Sequence, residues 1–165
     1  ELRSEVPNLG LILVGAGPES DALRQLARDL QFEDRVHFTG WLATTHEVGD
    51  YCNAADICIA MRTGAESNTH IIPGALLHSM ACRKVVVGPD LPGIAEVIRT
   101  GENGYMFKAD DGASFKALIR ELAAGRAEWG RVGRQAYQDV LDRFSVAATA
   151  RQYAGALEHF ARLPS

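Results

Sequence analysis

Apolar and polar positions alternate between two rhythms along this chain. Five short runs, LGLILVG (9–15), VHFTG (36–40), ICIAM (57–61), KVVVG (84–88) and GYMFK (104–108), are rich in β-branched and aromatic residues. Several are apolar on successive residues, the pattern of strands covered on both faces. Between them the spacing turns helical, over 19–31, 46–55, 73–82 and 92–99. On the first of these, Leu23, Leu26, Ala27 and Leu30 make an i, i+3, i+4, i+7 stripe. Strand–helix–strand repeated in this way predicts βαβ units, a parallel sheet and a three-layer α/β/α sandwich. After residue 112 the pattern predicts three helices, 112–124, 126–143 and 146–161. No internal repeat, low-complexity tract or linker divides the chain, so 1–165 reads as a single domain.

Length and charge narrow the function. At 165 residues the chain can bury one good core but not two ordinary ones. A formal net charge of −4 with no basic run argues against a dedicated nucleic-acid or anionic-membrane binder. The three cysteines, Cys52, Cys58 and Cys82, lack CxxC spacing and sit in apolar segments. They read as reduced, buried thiols of a cytoplasmic protein. No segment reaches the apolar length of a membrane span, and none reads as a signal peptide. The opening ELRSEVPNLG has no Met and reads as the end of a helix running into a strand. The expectation is one domain of a longer protein.

In open parallel sheets, ligands bind at the carboxyl ends of the strands. The loops of interest therefore follow Gly15, Gly40, Met61, Gly88 and Lys108. GAGPES (15–20) holds Gly15 and Gly17 but lacks the third glycine of a dinucleotide fingerprint. The second strand also ends in Gly40–Trp41 rather than in an acidic residue, which argues against a nicotinamide cofactor. Trp41 and Leu42 offer a flat apolar surface that either stacks a nucleobase or packs into the core beneath the loop.

The densest candidate is ESNTHIIPGALLHSMA (66–81). Pro73 suits the first turn of a helix, where its missing N–H costs nothing. Ile71 and Ile72 before it offer no oxygen to cap that helix, and Gly74 and Ala75 are too small to shield it. An uncapped helix start at a ligand edge is an anion site, best suited to phosphate, with Arg62 as counter-charge. The alternative is a solvated loop capped by water or by Asn68. His70 and His78 lack the further ligands of a zinc site, and no Asp-x-Asp pair for magnesium occurs in the chain. The expectation is a metal-free site.

In series, these segments resemble the C-terminal, donor-binding domain of the retaining glycosyltransferases of family four, the group 1 transferases of GT-B fold. LILVGAGPESDALRQLARDL, DRVHFTGWL, YCNAADICIAM, LLHSMACRKVVV, GIAEVIRTGENGYMF and FSVAATARQYAGALE match family signatures in order over almost the whole chain. The resemblance implies a Rossmann-like half of a GT-B fold. It also implies a Glu-x7-Glu pair, in which the first Glu contacts the donor sugar and the second holds the ribose. Backbone amides between the two bind the diphosphate. In this chain His70 and His78 occupy those two positions. A neutral imidazole has one donor and one acceptor, whereas a carboxylate accepts from two hydroxyls. His78 would therefore hold one ribose hydroxyl, and His70 would donate to sugar or phosphate. Glu66 is the candidate sugar-contacting carboxylate if the loop shifts register. The family's Pro-x-Lys-x-x-Glu pattern reads Pro73, Ala75, His78 here, and Arg83 and Val85 replace a Gly and a Pro.

The resemblance thus implies the nucleotide-sugar-binding part of a cytoplasmic hexosyl transferase of glycan, glycolipid or polysaccharide synthesis. Its candidate catalytic residues are His70 and Glu66. Its candidate donor-binding residues are Gly15, Gly17, Trp41, Leu42, Arg62, Ile71, Ile72, Pro73, Gly74 and His78. The implied partners are a nucleoside-diphosphate sugar and an N-terminal acceptor domain, any membrane contact coming through that missing part. Loss of both glutamates and of the lysine supports a rival expectation, an inactive scaffold that keeps only the fold.

Overall fold

The structure is a computed structural model, which describes residues 2–62 and 69–162. Helix α1 (Leu2–Glu5) leads into strand β1 (Leu11–Val14), helix α2 (Ser20–Asp29) and strand β2 (Val36–Gly40). Helix α3 (Thr45–Ala54), strand β3 (Ile57–Ile59), helix α4 (Gly74–Ala81) and strand β4 (Val85–Pro89) follow. Next come helix α5 (Pro92–Ala95), strand β5 (Tyr105–Phe107) and helices α6 (Gly112–Ala124), α7 (Trp129–Asp139) and α8 (Val146–Ala161). A π turn, Val140–Phe144, joins the last two. All five predicted strands and every predicted helix are present. The main difference is the segment predicted helical over 92–99, which ends at Ala95 because residues 96–103 turn back on themselves.

All strand pairs are parallel, but they form two sheets: β1 with β2, and β3–β4–β5 in that order. Only β4, the middle strand, is buried at every position. One cluster, Leu76, Met80, Val86, Ile94, Val97, Ile98 and Ala136, packs α4, α5 and α7 on one face. A second, Val85, Val87, Phe107, Leu118 and Leu122, packs α6 on the other. That is the layered arrangement expected of apolar runs without alternation.

The β1–α2–β2 block departs from expectation. Of the α2 stripe only Ala27 is buried, while Leu23, Leu26 and Leu30 stay exposed. Val14 on β1 is 48% exposed and Ile59 on β3 is 37% exposed. Among the described residues β1 pairs only with β2, and β3 only with β4. Each therefore leaves one backbone edge without a ladder partner, and unpaired edges invite pairing with further chain.

One buried polar knot fixes the turn before β5. Asn103 is fully buried; its amide donates to Val97 O at 2.9 Å and to the Asp139 carboxylate, and its carbonyl oxygen accepts from Arg99 N. Asp139 also accepts from Arg99 at 2.8 Å and from Gln135 at 3.0 Å. Burial alone would raise the Asp139 carboxyl. The bonds from Asn103 and Gln135 and the charge of Arg99 outweigh that and hold it below the usual carboxylate range. Because the folded value lies below the unfolded one, the contribution is present above the unfolded pKa and lost as pH falls through the folded one. Asp139→Ala is expected to cost about 2 kcal/mol at neutral pH, since it strands the Asn103 amide. In thermal melts the gap from wild type should narrow as pH falls below about 4.

Candidate functional site

The site is built where β3 ends and α4 begins. Pro73 is the N-cap of α4, not its first helical residue as predicted, and it contributes no side-chain cap. Its extended conformation (φ −67°, ψ 130°) turns the chain into the helix. Its carbonyl accepts from Leu76 N at 3.0 Å. By contrast, α3 is closed by a Thr44–Glu47 capping box, α6 by Asp111 and α8 by Ser145. Gly74 and Ala75 are exposed, and a Cβ added at Gly74 would meet nothing within 4 Å. Among the described residues no side chain caps the first turn of α4, and Asn68, the alternative cap, lies outside them.

His70, Ile71 and His78 are exposed around this tip, with Arg62 and Ile72 half-buried. Ile72 packs on the core cluster beneath and anchors the loop. Glu66 and Asn68 lie outside the described residues, as do all of residues 63–68. At the end of β1, Gly15 adopts φ +115°, a conformation natural to glycine, and its N–H donates to Thr39 Oγ1 at 3.2 Å. The Gly17 N–H donates to Ser20 Oγ at 3.0 Å. These glycines make the tight turn that starts α2. Trp41, just past β2, is 81% exposed and Leu42 is half-buried. The alternative that Trp41 packs in the core is thereby excluded, and its indole face is available for stacking.

One residue that sequence reasoning passed over positions the rest. Gly93, near the start of α5, is buried, and its N–H donates to Thr69 O at 2.9 Å. A Cβ there would stand 2.6 Å from the His70 carbonyl and from Ile71 O. The backbone of the His70–Ile71 loop therefore rests directly on α5. The sequence reading placed Gly93 inside the helix predicted over 92–99, and nothing in the Pro92–Gly93 pair signals a backbone contact. The ends of β4 and β5 are tied alongside: Asp90 N donates to Phe107 O at 2.8 Å, and Ala109 N to Asp90 Oδ1 at 2.7 Å. Among the described residues no group of three His, Cys, Asp or Glu is arranged to hold a metal. No described helix is long and apolar enough to cross a membrane.

Residues 1–124 match the family model described as "Glycosyl transferases group 1". Over 155 residues the chain is 30% identical to EpsD of Bacillus subtilis, named as a glycosyltransferase, covering 93% of this chain and 38% of EpsD. It is 29% identical over 143 residues to N-acetyl-alpha-D-glucosaminyl L-malate synthase of Bacillus anthracis, covering 87% of this chain and 35% of that enzyme. The chain thus spans little more than a third of the length of these two relatives. Among solved structures, HepE of Anabaena in complex with UDP superposes with a TM-score of 0.80 at 24% identity, covering 93% of this chain and 42% of HepE. The C-terminal domain of the group 1 family protein LpcC from Francisella tularensis gives 0.72 at 19% identity, covering 87% and 74%. These structures share the Rossmann-like fold.

Proposed function

The chain belongs to the group 1 glycosyl transferases, and from that membership we propose that it is the nucleotide-sugar-binding part of a retaining, hexosyl-transferring enzyme of glycan, glycolipid or polysaccharide synthesis. One observation carries this reading: the first turn of α4, which follows β3 and which no side chain among the described residues caps. The donor's diphosphate would sit on the N–H groups of Gly74 and Ala75, where the helix dipole favours negative charge. Arg62 would add positive charge, and no metal would be required. The nucleobase would stack on Trp41 with Leu42 beside it, and Gly15 and Gly17 would line the cleft. His78 would hold one ribose hydroxyl. His70, or Glu66 in a shifted register, would contact the sugar.

Charge builds on the leaving diphosphate as the glycosidic bond breaks, and fixed N–H donors aimed there stabilise it without reorganising. The two-sheet arrangement supports the view that this is part of a longer protein. The common doubly wound order is 3-2-1-4-5-6, with the ligand at the switch between its two halves. The chain supplies β2–β1 and β3–β4–β5. A strand from the remainder of the protein, laid between β1 and β3, would join the two sheets and bring further groups to the phosphates. The acceptor would bind mainly to that remainder.

Calorimetric titration of the full-length protein with UDP- and GDP-sugars tests the reading. Donor heat should appear, and His78→Ala should weaken binding by roughly fivefold, the worth of one hydrogen bond. Trp41→Ala should cost at least about fivefold through lost stacking, and leave Tm unchanged because the side chain is exposed. The scaffold reading rests on the histidines at both glutamate positions. Absence of any nucleotide binding by the full-length protein would favour it.

A further inference from the structure

The loop after β2 is fastened at both ends, and Trp41 lies between the two fastenings. At the β2 end the parallel ladder slips. Leu13 pairs with Phe38 but Val14 pairs with Gly40, so Thr39 is bulged out of the register. Such a bulge bends the strand and re-aims the side chains beyond it. Gly40 then takes φ +69°, a left-handed conformation natural to glycine, and Trp41 emerges 81% exposed. The Thr39 hydroxyl locks this bend. It accepts from Gly15 N at 3.2 Å and donates to Gly40 O at 2.8 Å. One side chain thereby ties the turn after β1 to the residue just before Trp41.

At the other end Glu47, in the first turn of α3, reaches back over the loop. Its Oε2 accepts from Ala43 N at 2.9 Å, from Thr44 N at 2.8 Å and from Thr44 Oγ1 at 3.0 Å. The bond from Thr44 N belongs to the capping box that starts the helix, and the bond from Ala43 N is one more than that box needs. These bonds, that from Thr44 N foremost, hold the Glu47 carboxyl below the usual carboxylate range, so it accepts as an anion at neutral pH. Neither Thr39 nor Glu47 belongs to a core cluster. Their hydrogen bonds act on the loop, and Trp41 and Leu42 are the two residues left between fixed neighbours.

We propose that Thr39 and Glu47 are positioning residues, which clamp the Trp41–Leu42 loop as a rigid platform for the base of a nucleoside diphosphate. This deepens the reading of Trp41 as the stacking residue and rests on it. A loop already held in place loses little freedom when a base stacks on it, so less of the stacking energy is offset by ordering. Both side chains act through Trp41 and not on the base itself.

Two measurements on the full-length protein test the clamp. The first needs no ligand. The time-resolved fluorescence anisotropy of Trp41 is isolated as the difference between each protein and its Trp41→Phe counterpart. The wild-type indole should follow slow overall tumbling. In Thr39→Val and in Glu47→Ala it should lose anisotropy to local motion on the nanosecond scale. Thr39→Ser, which keeps the hydroxyl, should behave as wild type. The second measurement is calorimetric titration with UDP and with GDP. Thr39→Val should weaken binding of the nucleotide that the wild type prefers by about fivefold, the worth of one hydrogen bond, and Thr39→Ser should restore it. In a Trp41→Ala background Thr39→Val should change affinity less than about twofold, because the residue it acts through is gone. Unchanged Trp41 anisotropy in either folded variant would overturn the proposal, as would a Thr39→Val binding loss that persists undiminished without Trp41. A wild-type protein that binds neither nucleotide overturns the base-stacking reading instead, and the anisotropy then decides the clamp by itself. If Thr39→Val fails to fold, Glu47→Ala, at an exposed position, carries both readouts.

Discussion

Gly93→Ala is expected to weaken nucleotide-sugar binding by the full-length protein at least tenfold, a loss of about 1.4 kcal/mol or more in binding free energy. The added Cβ would stand 2.6 Å from three backbone atoms of His70 and Ile71. Backbone atoms cannot rotate away as a side-chain tip can, so either α5 or the loop must move. α5 and the turn after it are held from below by Ile94, Val97 and Ile98, all in the core. The loop carries less buried surface, with His70 and Ile71 exposed. The loop is therefore the part that yields, and the Gly93–Thr69 hydrogen bond goes with it. Displacing this loop shifts Pro73 and the first turn of α4, where an error of about 1 Å in a positioned group can cost as much as a hundredfold. The fold itself should lose about 1–3 kcal/mol, the usual cost of overpacking. Calorimetry and thermal melts on one preparation separate the two effects. Tight donor binding by a well-folded Gly93→Ala protein would show that this loop does not set the site.

Much of the fold was legible because the apolar runs carry it. VVVG reads as a strand covered on both faces, and β4 is buried throughout. The start of α4 was legible in part: Ile71, Ile72 and Pro73 offer no capping oxygen, and no side chain among the described residues caps it. Three features were not. The split between β1 and β3 leaves no mark in the sequence, because each strand looks apolar whether or not its neighbour is present. The same holds for the α2 stripe, whose spacing announces a buried face without saying what covers it. Close backbone contacts are silent too: Gly93 and Gly133 both read as ordinary residues of predicted helices, 92–99 and 126–143, yet each is required by an atom far away in sequence. The fate of Trp41 needed coordinates, since stacking platform and core plug have the same spacing.

Gly133→Ala is expected to cause the largest stability loss, more than about 3 kcal/mol, beyond the usual range for overpacking. A Cβ at this position would lie 2.0 Å from Arg83 O and 2.8 Å from its carbonyl carbon. Gly133 is buried on α7, and α7 packs on both β4 and α4. Helix propensity favours alanine over glycine by about 1 kcal/mol, far too little to offset such an overlap. Arg83 has little freedom to retreat. It already holds a left-handed φ of +58°, at the position where the resemblance places a glycine, and its guanidinium lies 4.4 Å from the centre of the Tyr137 ring. Its N–H donates to Met80 O at 2.9 Å, which closes the end of α4. Relief must come from α7 lifting off the sheet, which opens the cluster around Met80, Val86 and Ala136. For a domain of this size the loss corresponds to a Tm drop of roughly 6–12 °C. The contrast with Gly93→Ala is the useful part. Gly133 meets the chain at Arg83, just past the end of α4 opposite its tip, so the fraction of Gly133→Ala protein that remains folded should bind donor normally, while folded Gly93→Ala protein should not. Equal binding defects in the two variants, once corrected for the folded fraction, would mean that global stability alone governs the site.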